Sequence, residues 1–170
     1  PDVQRLADVG VRVFDELNAT MAELTGVSPQ EPAVAATYAN IRQSLPNVET
    51  IDTFVSAHPV AVAQLSIQYC NALVENSTAR AQYFPGFDFS AAPATAFAPA
   101  GRAILLDSLI GRMLRTNVAT EPDAAGVRSD LDNLITRLSS CGGSCAADRT
   151  ETVVKASCAA LLGSAATLLH

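Results

Sequence analysis

Apolar residues recur at three- and four-residue steps along most of the chain. The first stripe is Val3, Leu6, Val9, Val13, Phe14, Leu17, Met21 and Leu24, a spacing that lines one face of an α-helix. It predicts a helix over residues 2–25, ended at Gly26. Ser28-Pro29-Gln30-Glu31 then carries a cap signal, a Ser followed three residues later by Glu. It opens a second helix through Ala33, Val34, Tyr38, Ile41 and Leu45, which Pro46 stops. A short helical turn is predicted over residues 50–57. His58-Pro59 marks the next start, because proline suits the first helical position.

Residues 59–74 contain no charge, and Val60, Val62, Leu65, Ile67, Tyr69, Leu73 and Val74 fall on every face of the predicted helix. That pattern belongs to a buried central helix. Gln64, Ser66, Gln68 and Asn71 make it too polar, and its length too short, for a membrane span. Asn76-Ser77-Thr78 predicts a cap for a brief helix to Phe84, and Pro85-Gly86 forces a turn. Residues 87–101, with Pro93 and Pro99, read as a loop pinned by its phenylalanines. Further helices are predicted over residues 102–116, from near Glu121-Pro122-Asp123 through Leu138, and from Asp148 or Thr150 to about Leu169. The last is uncharged over residues 156–169. Its Ala159, Ala160, Gly163 and Ala166 are small enough for close helix contact, which places it against the other uncharged helix. No fixed-period repeat interrupts this order. The expected fold is all-α, a compact bundle of about six or seven helices in a single domain spanning residues 1–170.

Composition agrees with this pattern. Of the 170 residues 49% are apolar but only 5% aromatic, with no Trp, so the core is built from Ala, Leu, Val and Ile, as in closely packed helices. Eleven basic residues stand against 17 acidic ones, net −6, and Lys155 is the single lysine. Basic residues scattered singly do not neutralise a phosphate backbone, so nucleic acid is excluded as the expected partner, as is an anionic membrane surface. No membrane insertion is expected. Pro1-Asp2-Val3-Gln4-Arg5 is not a basic stretch leading into an apolar run, so the chain reads as a mature protein, a fragment or a trimmed form.

Cys70, Cys141, Cys145 and Cys158 allow two disulfides in three connectivities. Cys141 and Cys145 flank a polar, Gly-rich turn where free thiols would be exposed, which points to an oxidising compartment: secreted, periplasmic or cell surface. Cys70 and Cys158 lie on the two uncharged helices expected to pack together. The expected pairing is therefore Cys141 with Cys145 and Cys70 with Cys158.

Candidate chemistry is sparse. His58 and His170 are the only histidines, and no Gly-x-Ser-x-Gly elbow accompanies them. Cys141 and Cys145 lack both the partner pair a structural zinc needs and the Cys-x-x-Cys spacing of a redox motif, so a structural bridge is the favoured reading. Asp130-Leu-Asp132-Asn133 lacks the glycine and closing glutamate of a calcium loop. Asp15-Glu16 and Glu121 with Asp123 read as solvated helix faces and first turns. Asn18-Ala-Thr20 and Asn76-Ser-Thr78 match the glycosylation pattern. No metal, no cofactor and no catalytic residue are expected. The remaining candidate site is aromatic: Phe84, Phe87, Phe89 and Phe97 either pin their loop to the core, the stronger reading, or meet a partner.

Four strings carry a resemblance: Leu17-Asn-Ala-Thr-Met-Ala-Glu-Leu-Thr-Gly-Val27, Thr37-Tyr-Ala-Asn-Ile-Arg-Gln-Ser-Leu-Pro46, Gln64-Leu-Ser-Ile-Gln-Tyr-Cys-Asn-Ala-Leu-Val74 and Val153-Val-Lys-Ala-Ser-Cys-Ala-Ala-Leu-Leu-Gly-Ser-Ala-Ala166. Together they resemble a helical region of large secreted bacterial proteins that also carry laminin-G-like (concanavalin-like) domains. The resemblance implies an extracellular or cell-envelope module and transfers no functional residue. The expected function is a non-catalytic structural or protein-interaction module of a secreted or cell-surface bacterial protein. Its partner would be a protein, another domain of a larger chain, or a second copy of itself. The alternative is a small-molecule or ion-binding domain of a secreted enzyme or transport system.

Overall fold

The structure, a computed structural model, describes residues 12–44, 57–114 and 123–168. They form nine α-helices, six of them ten residues or longer, and no strand. In chain order these are α1 (Phe14–Thr25), α2 (Pro32–Ile41), α3 (Ala57–Glu75), α4 (Ser77–Tyr83), α5 (Pro93–Ala96), α6 (Pro99–Met113), α7 (Ala124–Ser139), α8 (Arg149–Leu162) and α9 (Ala165–Leu168), with a 3-10 turn at Arg42–Ser44. The all-α, disulfide-stapled expectation holds. The helical predictions for residues 2–11, 50–56 and 115–122 lie outside the described residues.

Helix ends follow local chemistry. Gly26 takes a left-handed φ of 71° and returns its N–H to the Ala22 carbonyl, closing α1, a conformation that costs glycine least. At α2 the cap is Glu31, whose carboxylate accepts from the Val34 N–H at 2.9 Å. The predicted Ser28 cap instead accepts from the Gln30 N–H one turn earlier, at 3.2 Å. Asn76 accepts from the N–H groups of Thr78 and Ala79 to start α4, and Asp123 does the same for Ala125 and Gly126 at α7. The segment read as a loop over residues 87–101 contains α5 and the first turn of α6. Pro93 and Pro99 occupy first helical positions there, so the prolines start helices instead of preventing them. The last predicted helix breaks in two at Gly163. A β-carbon there would sit 2.8 Å from Ser66 Oγ of α3, so any larger residue at this close crossing would force Ser66 to move.

The centre of the bundle is the α3–α8 pair, the most extensive helix contact among the described residues. On one side α1 and α2 pack against α3, and on the other α6 and α7 pack against α8. Cys70 and Cys158 are completely buried at the crossing and form a disulfide with Cα atoms 5.8 Å apart. The two uncharged helices thus pack as their composition predicts, with one qualification. Val60 and Ile67, 59% and 49% exposed, lie one heptad apart on an outer face of α3, so the helix is not buried all round.

Three tyrosines tie α1 to its neighbours. The buried Tyr69 hydroxyl donates to Asn18 Oδ1 at 2.7 Å and to the Asn18 carbonyl at 3.1 Å, and Tyr38 donates to Asp15 at 2.6 Å. Burial first, with the nearby Asp15 adding to it for Tyr38, pushes both phenols from 10.0 up to about 12. Tyr83, buried with its hydroxyl on the Leu24 carbonyl, is raised as well. A raised acid binds its proton more tightly folded than unfolded, so this stabilisation is complete below pH ~10 and is lost as pH climbs towards ~12. Alkaline unfolding followed by helical circular dichroism should show stability falling across that window. A flat profile up to pH ~12 would contradict the raised phenols.

Candidate functional site

The aromatic segment was the sequence candidate, and the structure turns its rings inward. Gly86, at φ 83°, permits the tight turn after α4, and the Phe87 N–H donates to the Phe84 carbonyl at 3.1 Å. Asp88 organises the following turn by accepting from the hydroxyl and N–H of Ser90 and from the N–H of Ala91. The Ser90 bonds hold its carboxyl below the ordinary carboxylate value. Between these turns Phe84, Phe87 and Phe97 are 1%, 8% and 5% exposed. Phe87 stands edge-on to Phe89 with ring centres 4.9 Å apart, and Phe84 stands edge-on to Phe89 at 5.8 Å. Phe89 is half-buried, and its outer face is covered by the Arg80 guanidinium 4.8 Å from the ring centre. Arg80 is fixed in turn by Glu151 of α8 at 2.5 Å. Of the two readings of Phe84, Phe87, Phe89 and Phe97, this inward packing is the arrangement that pinning residues 84–97 to the core requires.

A concave surface lies elsewhere among the described residues, on the seam between the antiparallel helices α6 and α7. It is an open groove of about 670 Å³. Its apolar lining comes from the edge of Phe97, with Pro99, Ala103, Leu106 and Ala125, while Arg102, Arg128 and Asp132 provide the charges. Ala103, Ala125 and Ser129 are exposed and too small to fill the groove. Arg102 is tightly held, donating to the Asp132 carboxylate and carbonyl at 3.1 Å and to Thr136 Oγ1 at 2.7 Å. Arg128 pairs with Asp107 on the exposed rim, where an ion pair is worth little and its partner is exchangeable. The lining thus holds two guanidinium groups and one carboxylate on a chain of net charge −6. Sequence reading missed this site because its arginines stand 26 positions apart and converge only through helix packing.

The other candidates are separate. Cys141 and Cys145 form the second disulfide, Cα atoms 5.4 Å apart, in the turn between α7 and α8. Both disulfides are those expected. Asp15 serves Tyr38 and, at 3.8 Å, Arg42. Asp123 is a helix cap, and Asp130 is exposed. Asn18 is held by Tyr69, whereas Asn76 is exposed at the α4 cap. His58 sits in the first turn of α3, and His170 lies outside the described residues. Among the described residues no three His, Cys, Asp or Glu side chains gather as a metal site would require, and no helix is long and apolar enough to cross a membrane. Compared with protein-family models, with curated proteins and with solved structures, the chain matches none of them.

Proposed function

We propose that this chain is a non-catalytic interaction module of a secreted or cell-surface protein, bacterial as its resemblance implies, and that it engages a protein partner through the α6–α7 groove. The observation that carries the reading is the groove itself: an apolar floor beside two guanidinium groups, open along its length instead of enclosed. Open, apolar-floored surfaces with arginine at their edges suit protein contact better than enclosure of a small molecule. Two disulfides support an oxidising compartment, where such crosslinks persist.

Ala103→Trp and Ala125→Trp place a bulky ring in the groove from either wall without disturbing the core, since both positions are exposed. The wild type should associate with adjoining domains of its parent protein or with a surface protein, as seen by crosslinking. Either variant should lose that association while its melting temperature stays within about 2 °C of the wild type. Equal crosslinking by wild type and variants would overturn the reading. Native mass spectrometry showing a small molecule retained by the wild type alone would instead favour the ligand-binding alternative, which the groove volume of about 670 Å³ also accommodates.

A further inference from the structure

The two disulfides differ in a way that bears on chemistry. Cys70 and Cys158 are fully buried and join helices 88 positions apart. Cys141 and Cys145 are only partly buried, and the three residues between them, Gly142, Gly143 and Ser144, are all exposed. No helix contains either of these cysteines, since α7 ends at Ser139 and α8 begins at Arg149. The ends they join are also held by other means. Arg149 Nε donates to the Leu138 carbonyl at 2.7 Å, and Thr150 Oγ1 donates to the Ala91 carbonyl at 2.8 Å. Behind these contacts Leu131 and Ile135 of α7 and Val153 and Val154 of α8 are buried.

We propose that Cys141–Cys145 is a thiol–disulfide exchange site, whose co-substrate is an external dithiol, while Cys70–Cys158 is the permanent staple of the fold. One thiolate of the dithiol attacks the sulfur of Cys141 or Cys145. The new S–S bond forms as the old one breaks, and the electron pair leaves on the other cysteine as a thiolate. The dithiol's second thiolate then attacks the mixed disulfide. The protein is left reduced, with two thiols carrying the dithiol's two protons, and the dithiol is oxidised to a disulfide. Exchange requires an accessible sulfur in line with the attacking thiolate, which the exposed turn offers and the α3–α8 crossing denies. It is reversible because the three-residue tether keeps the two thiols close after opening, and because the hydrogen bonds of Arg149 and Thr150 hold α7 and α8 in place meanwhile.

Dithiothreitol in native buffer, quenched with iodoacetamide and mapped by peptide mass spectrometry, tests the assignment. Two labels should appear on Cys141 and Cys145 at least about tenfold faster than on Cys70 and Cys158, with the helical circular dichroism signal retained. In a parallel sample left unalkylated and freed of dithiothreitol, oxidised glutathione should return the reduced pair to the bridged form. Labelling of all four cysteines together, loss of helix in step with the first labels, or no reduction without denaturant would each overturn the proposal. The Cys141→Ser/Cys145→Ser variant checks the site directly: it should fold, lose the fast phase and keep Cys70–Cys158 resistant. A fast phase surviving in that variant would also overturn it.

Discussion

Replacing Cys70 and Cys158 together with Ala is expected to cost about 4 to 5 kcal/mol of stability, because their bond closes a loop of 88 positions in the unfolded chain. For a chain of this length that corresponds to a fall in melting temperature of roughly 10 to 15 °C. The effect is large for two reasons. The crosslink removes more unfolded-state freedom than any short bridge could, and both sulfurs are buried at the α3–α8 crossing, where truncation to Ala leaves a cavity. The short Cys141–Cys145 loop should contribute only about 2 kcal/mol by the same reckoning. Thermal unfolding of the two double variants decides the matter. Equal losses, or a larger loss from the exposed pair, would show that the α3–α8 disulfide is not the dominant staple.

The second large effect is expected at Phe84, where substitution with Ala should cost about 3 to 5 kcal/mol. The ring is 1% exposed and lies 4.8 Å from Tyr83 and 5.8 Å from Phe89, centre to centre. Its loss would undercut the cluster that pins residues 84–97 and, through it, the Ala91 carbonyl that receives Thr150 of α8. Phe89→Ala should be milder, about 1 to 2 kcal/mol, because that ring is half-buried and part of its cover is the flexible Arg80 side chain. Urea unfolding measures both. A Phe84→Ala variant as stable as the wild type but impaired in association would favour the partner-facing reading over core pinning.

Much of this architecture was legible from periodicity. Apolar patterning marked every long helix that the structure describes, and the absence of charge over residues 59–74 and 156–169 identified the pair that crosses at the centre. From that single inference the Cys70–Cys158 bond followed, since two cysteines on helices that must be neighbours have few other partners. Boundaries were less legible where two signals competed. Ser28 and Glu31 both qualify as caps, and Glu31 prevails because Pro32 sets the first helical position directly after it. Pro93 and Pro99 lie in the segment that reads as a loop, yet proline lacks only an N–H that the first turn of a helix leaves unused.

What the sequence by itself determined is what depends on neighbours along the chain: helix periodicity, glycine and proline punctuation, and which helices must hide from water. Only the tertiary structure decided properties that depend on which surfaces meet. Four phenylalanines with one charge among them are equally suited to a core and to an interface, and Arg80, reaching over Phe89 from α4 while bound to Glu151 of α8, closes them in. Ile67 looks as apolar as Leu65, but their positions on α3 send one to solvent and the other to the core. The groove belongs to the same class. Arg102 and Arg128 are unremarkable singly, and become one surface because α6 and α7 run antiparallel with small side chains between them. Burial and convergence are properties of packed faces, and local pattern specifies a face without naming what will cover it.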